Sequence, residues 1–399
     1  MSPFQIQEVL NSFIGDMILA SINTRDFRID AIRGLSLLVI FTNHLSVISG
    51  NLFLRSWSLV SITLCDFANV FIFISGYVAG MVYSKILIRD GFKMLFQRTI
   101  KRAAQLYYWH FVALIISVLS ILVLQYYGIE LIKTARLNFL FSNPLQALPA
   151  TLGLAYAPYA FDVLRLYILL LLVLPLWLKL LDINKWLAVA VSLIVYLIPQ
   201  FVGGANISEI PAGKLWYFNP LAWQLQFFLG SFLAVNGLPG SRDFWRSKSI
   251  TSLALTIVIA GILVRTMGPY LIETFNPAVP FIHDDLLYGK LPLTGKMNLE
   301  PVRLIYFSAL LLLTVNILPK GWSFWKSDIA KPFVLCGKHA LQIYSTGLIL
   351  VFVSGHILRN INASNTVMII ATIIGISIQV TVANHLEQRK IQSRSQAPH

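Results

Sequence analysis

Three polar side chains fall on one face of an apolar stretch near the start of the chain: Asp30, Arg33 and His44. At about 100° per residue they lie within roughly 60° of each other around a helix. Polar groups in hydrocarbon are costly, so they turn to a protein interior or a wet cavity and usually mark function. A neutral imidazole acts as a base near pH 7, and a guanidinium suits phosphate. The stripe reads as a site approached from its charged end, with His44 about 16 Å beyond Arg33. The plainer alternative is an interfacial Asp–Arg pair and a histidine satisfied in the core.

Two further segments carry comparable groups. Asp66, Asn69, Gly76 and Gly80 share one face of a second helix. With that helix running inward and ending near Ser84, Asn69 comes to the depth of His44, with Asp66 about one turn further out. Gly76 and Gly80, spaced four apart, point to close helix packing. Arg98 and Arg102 open a third span that continues to His110; with Arg33 they make a basic mouth for a phosphorylated donor, or else ordinary edge charge. His339 opens a late span, where a solvated interfacial histidine is the simple reading. His283, Asp284 and Asp285 read as a polar outer loop, and His356, His385 and His399 receive no role. No Cys/His spacing resembles a metal site and no glycine-rich loop precedes a helix as a phosphate cradle does.

Positioning these groups falls to membrane helices. Hydrophobic residues make up 57% and charged residues 12%, with a mean hydropathy of +0.72, which excludes a soluble globule. The expected fold is all-α, about ten spans near 31–49, 64–83, 104–124, 163–181, 186–202, 221–236, 250–267, 302–318, 333–355 and 365–384. The net charge of +14 is a topology signal and not a nucleic-acid footprint. With the amino terminus inside, most of the 31 basic residues fall on the cytoplasmic side, which puts both termini there. Residues 1–24 read as an interfacial amphipathic segment, 25–385 as the membrane domain and 386–399 as a cytoplasmic tail. Cys65 and Cys336 fall on opposite sides, which disfavours a disulfide.

The chain resembles the OpgC family, membrane proteins related to acyltransferase family 3. The match rests on Arg25-Asp-Phe-Arg-Ile-Asp-Ala-Ile-Arg-Gly with His44 following, on Asp66-Phe-Ala-Asn-Val-Phe-Ile-Phe-Ile-Ser-Gly-Tyr77, and on Arg102-Ala-Ala-Gln-Leu-Tyr-Tyr-Trp-His110. Later blocks are Phe161-Asp-Val-Leu-Arg-Leu-Tyr, Asn219-Pro-Leu-Ala-Trp-Gln-Leu, Leu299-Glu-Pro-Val-Arg-Leu and Gly337-Lys-His-Ala-Leu, in family order. The resemblance implies a ten-helix enzyme of the bacterial inner membrane that moves an acyl group, succinyl in the best-known activity, from an acyl-CoA-type donor to a periplasmic glucan. It implies His44 as catalytic base, helped by Asp66 and Asn69. Arg33, Arg98, Arg102 and His110 are expected on the donor side, Asp30, Gly76 and His339 in support, and no metal or resident cofactor. Relatives usually carry an acidic residue at Asn69; an amide orients an imidazole but adds no charge. A transporter or flippase of a glycan or lipid-linked sugar is the second reading, since intramembrane His, Arg and carboxylate also serve transport; the absence of a visible repeat counts against it.

Overall fold

The computed structural model describes residues 26–128, 137–210, 214–275, 294–319 and 321–395. The amphipathic segment 1–24, the His283–Asp285 group and His399 lie outside the described residues. The described residues form an all-helical fold without named strands. Ten helices matter here: α1 Phe27–Ser49, α2 Phe67–Tyr126, α3 Asp162–Ile183, α4 Lys185–Phe201, α5 Pro220–Asn236, α6 Lys248–Phe275, α7 Pro301–Ile317, α8 Lys331–Lys338, α9 Ala340–Asn360 and α10 Asn365–Ser395. Among the described residues six helices are long and apolar enough to cross a bilayer: α1, α2, α3, the Lys248–Gly268 part of α6, α9 and the Asn365–Ser393 part of α10. The protein is a multi-pass membrane protein.

Local chemistry sets the helix ends. Asp26 caps α1 through Arg28 N at 3.1 Å, and Gly50 closes it with φ +78°, the left-handed conformation glycine adopts without penalty. Asn184 alone separates α3 from α4 and caps the latter through Trp186 N and Leu187 N. Pro220 and Pro301 open α5 and α7, where a missing N–H costs nothing.

The 60-residue α2 is two helices in sequence. At Gly91 the backbone leaves helical geometry (φ +78°, ψ 176°). Arg98 and Arg102 act electrostatically on Tyr83, although a straight helix would hold Tyr83 and Arg102 about 28 Å apart. The chain therefore folds back at Gly91. The expected second span, 64–83, thus runs on to Asp90, because Ser84-Lys85 brings no helix breaker and Gly91 does. Another expected span, 333–355, is divided at His339 into α8 and α9. α10 stays helical to Ser395.

Close backbone approaches hold α1, α2 and α5 in place. A Cβ on Gly76 would meet the Phe227 carbonyl oxygen at 1.9 Å, and one on Gly230 the Phe73 carbonyl at 2.3 Å. This reciprocal fit is the small-residue packing expected of Gly76. Gly34 and Gly337 do the same for α1 and α8, each lying against the other helix's backbone, at Phe333 and Asp30. Asp30 is thereby part of the seam between α1 and α8. By contrast α6 packs chiefly on α7, where Tyr306 fills the notch at Gly261 and its hydroxyl reaches Val258 O at 3.4 Å.

Candidate functional site

His44 lies on α1 one turn and a half before the Gly50 cap, half-buried, its ring edge-on to Tyr159 at 5.7 Å. Among the described residues it makes no hydrogen bond; the charges of Lys296, Arg55 and Asp66 reach it. It borders a narrow crevice between α1, α9 and α10, together with Leu37, Phe41, Tyr344, Gly347 and Gln379. The α1 wall of this crevice runs from Leu37, one turn past Arg33, up to His44. The free space holds about one water. The crevice lies on the α9 side of α1, where Phe41 and Gln379 approach Gly347.

Asp66 caps α2. One oxygen accepts from Ala68 N at 2.9 Å and Asn69 N at 3.3 Å, and the other is bound by the Lys296 ammonium. Burial pushes this carboxyl up, yet Lys296 and Arg303 outweigh it and bring it down to about 2. The Lys296 ammonium, buried but beside Asp66, is raised above its ordinary value. Lys296 also lies over the Tyr217 and Phe218 rings, at 5.2 and 5.3 Å.

Asn69 does not reach His44. Its Oδ1 accepts from Asp66 N at 3.2 Å and from Arg303 at 3.3 Å, and its Nδ2 donates to Gln226 Oε1 at 3.0 Å. Gln226 in turn donates to Asn69 O at 2.8 Å. An amide does here what a carboxylate cannot: it accepts from a guanidinium and donates to a buried glutamine. Phe71, two residues after Asn69, lies 5.8 Å from the Arg33 guanidinium and stacks on Tyr344.

At the other end of the stripe, Arg33 sits beside the Tyr167 phenol and feels the charges of Arg102 and Asp30. Its Nε is buried without a hydrogen-bond partner. Arg102 donates to Gln105 at 2.5 Å, and Arg98 lies 3.6 Å from Asp90. The hairpin at Gly91 brings all three arginines to one end of the bundle, around Tyr83 and Tyr167. His110 is not among them: it is fully buried, edge-on to Phe161 at 5.4 Å, within reach of the Arg165 charge. Its two ring nitrogens have no hydrogen-bond partner. His339 also stands apart, its Nε2 2.9 Å from Glu387 of α10, which Lys338 shares.

Sequence reasoning missed Lys296, Arg303, Gln226 and Arg165. Arg165 is fully buried, ion-paired with Asp162 and with Glu209 at 2.7 Å, and lies over Trp216 at 4.5 Å. Arg165 and Arg303 stand in the blocks that carry the resemblance, where no role was assigned to them. A signal was present: Arg165 and Arg303 each stand a few residues inside a very apolar helix, where an unneeded charge is costly. Among the described residues no group of three His, Cys, Asp or Glu side chains suits a metal, and both cysteines are free and buried.

The family model for the OpgC protein matches residues 25–391. No curated protein and no solved structure gives a match. The match spans α1 to α10 and with them His44, Asp66, Arg303 and the three arginines of the hairpin end, so the chain belongs to the OpgC family.

Proposed function

We propose that the protein is a glucan-modifying O-acyltransferase of the bacterial inner membrane, crossing it ten times with both termini in the cytoplasm. The observation that carries this reading is one unbroken helix with a basic end and an imidazole about 16 Å apart, with a crevice along its face from Leu37 to His44. Support for ten crossings comes from the break at Gly91 and from α4, α5 and α7, which are apolar but shorter than α1.

An acyl-CoA-type donor binds from the cytoplasm with its phosphates at Arg33, Arg98 and Arg102. Its pantetheine arm is long enough to bring the thioester up to His44, given side-chain motion along the crevice. A glycan hydroxyl enters from the other side. His44 takes the hydroxyl proton as the oxygen attacks the thioester carbonyl; the C–S bond then breaks, and the thiolate leaves as the free thiol after taking up that proton.

The test is mass spectrometry of periplasmic glucans from cells producing wild-type protein or His44→Ala. The expected result is an acyl mass increment in the first and none in the second, with equal amounts of protein in the membrane. Wild-type acylation by His44→Ala removes the base. Glycan movement in liposomes without thioester consumption replaces the enzyme with a transporter.

A further inference from the structure

Among the described residues, a cleft far wider than the crevice at His44 lies elsewhere. It measures about 790 Å³ and separates the α6–α7 pair from the bundle of α1, α2 and α5. The pair is held to the bundle at its Asp66 end, where Arg303 reaches Asn69 and Phe307 packs on Phe73 at 5.4 Å. Further along the two parts diverge. Leu253, Ile305 and Val315 line the cleft and are 57, 56 and 37% exposed, so it opens sideways to the surface that faces lipid. The hydroxyls on its α7 wall are spent within the helix: Ser308 donates to Leu304 O at 2.9 Å and Thr314 to Leu310 O at 2.7 Å. The wall thus offers hydrocarbon alone.

Polar groups gather at one end. Arg28 donates to Leu318 O at 2.8 Å, Asn316 to Trp245 O at 3.3 Å, and Trp245 to Pro239 O at 2.6 Å. Arg246 and Lys248, both exposed, flank this rim. Arg28 shares its charge with Asp26 at 3.3 Å, while the other two basic groups face outward. An apolar slot open to hydrocarbon, with a basic rim and an indole at one end, matches an amphiphile with an anionic head.

We propose that this cleft holds an acyl chain of an anionic membrane phospholipid, its phosphate at the exposed Arg246 and Lys248 of the rim. Burying each methylene in a slot gains little over the bilayer, so specificity comes from the rim. The bound lipid fills the gap between the α6–α7 pair and the bundle and keeps Arg303 seated on Asn69. This assignment does not depend on the acyl-transfer reading.

The experiment uses the full chain in native membranes and a phosphatidylglycerol analogue with a photoreactive diazirine in its acyl chain. Labelling is expected on Ile257 and Leu312, which line the cleft, above that on Ile259 and Leu263, which are exposed but do not line it. After purification in mild detergent, native mass spectrometry is expected to find phospholipid on the wild type and several-fold less on Ser308→Trp, which fills the slot from its open wall. Label confined to Ile259 and Leu263 overturns the proposal, as does equal phospholipid on both proteins. Recovery of an isoprenoid-linked sugar in place of phospholipid overturns the lipid class assigned. The labelling arm needs no variant, so a misfolded Ser308→Trp leaves the proposal exposed to refutation.

Discussion

The two ends of the α1 stripe are built on opposite plans. Around Asp66 every charged or amide group is committed to a protein partner: Lys296 to Asp66, Arg303 and Gln226 to Asn69, and Asp66 to the α2 amides. Around Arg33 three guanidiniums converge, with Asp90 at 3.6 Å from Arg98 and the charge of Asp30 acting on Arg33. The first plan fixes geometry; the second keeps positive charge available to something that is not protein. Buried ion pairs are costly to assemble and costlier to break by halves. Convergent cations at a membrane edge repel one another and are relieved by an anion. A fixed polar cluster near His44 and a gathering of guanidiniums at the other end of α1 are what the proposed donor-in, acceptor-out reaction asks of a scaffold.

The contrast breaks most visibly at Lys296. Lys296→Met leaves the Asp66 carboxylate buried without its ammonium, and the expected loss is about 3–5 kcal/mol of stability. Thermal melts in detergent check it. Pairing Lys296→Met with Asp66→Asn should restore part of that loss, since the two changes act on one contact. Additive losses would mean that Lys296 and Asp66 do not stabilise each other.

At the other end the same kind of change should spare the fold and weaken the donor. Removing a charged hydrogen-bond partner costs about 1.5–3 kcal/mol. Arg33→Ala and Arg102→Gln are therefore expected to raise the KM for an acyl-CoA by roughly ten- to hundredfold, with kcat less affected. Added salt should weaken wild-type donor binding too. A melting temperature that drops in Arg102→Gln while KM stays put would make the hairpin end structural, like its counterpart. A smaller effect is expected at Glu387→Gln. That carboxylate is partly exposed beside Lys338 and His339, and such pairs contribute about 0–1 kcal/mol; a glucan acylation rate within twofold of wild type checks that His339 only anchors α10.

Much of this arrangement is visible in the chain itself, and the exceptions share a cause. The stripe Asp30–Arg33–His44 and the glycine at 76 follow from periodicity within one helix, so they are legible. The convergence of Arg33 with Arg98 and Arg102 also follows, because positive charge at span edges locates both. Lys296 escaped because it lies in a connection, where no periodicity says what it faces. Asn69 was read by its spacing from Asp66 and its depth was taken from Ser84; the helix ends instead at Gly91, and the side chain turns to Gln226 and Arg303, residues far along the chain. His110 looked like a continuation of the Arg98–Arg102 face, but Phe161 covers it. Local pattern gives the face of a helix; which neighbour that face meets is a tertiary fact.

The finest test of the committed end is a titration in which nothing should happen over most of the range. Lys296 and Arg303 hold the Asp66 carboxyl at about 2, against burial that pushes it up, while the unfolded chain returns it to about 3.9. A carboxyl with a depressed folded value stabilises the fold above its unfolded value and loses that contribution as pH falls through the folded one. The stability difference between wild type and Asp66→Asn should therefore stay constant from pH 7 to about pH 4 and then shrink toward pH 2. Taking the difference cancels the other carboxylates, which titrate in both proteins. A difference that already collapses between pH 6 and 5 would mean that the Lys296 ammonium does not hold Asp66 charged, and the rigid end would then be no more committed than the basic one.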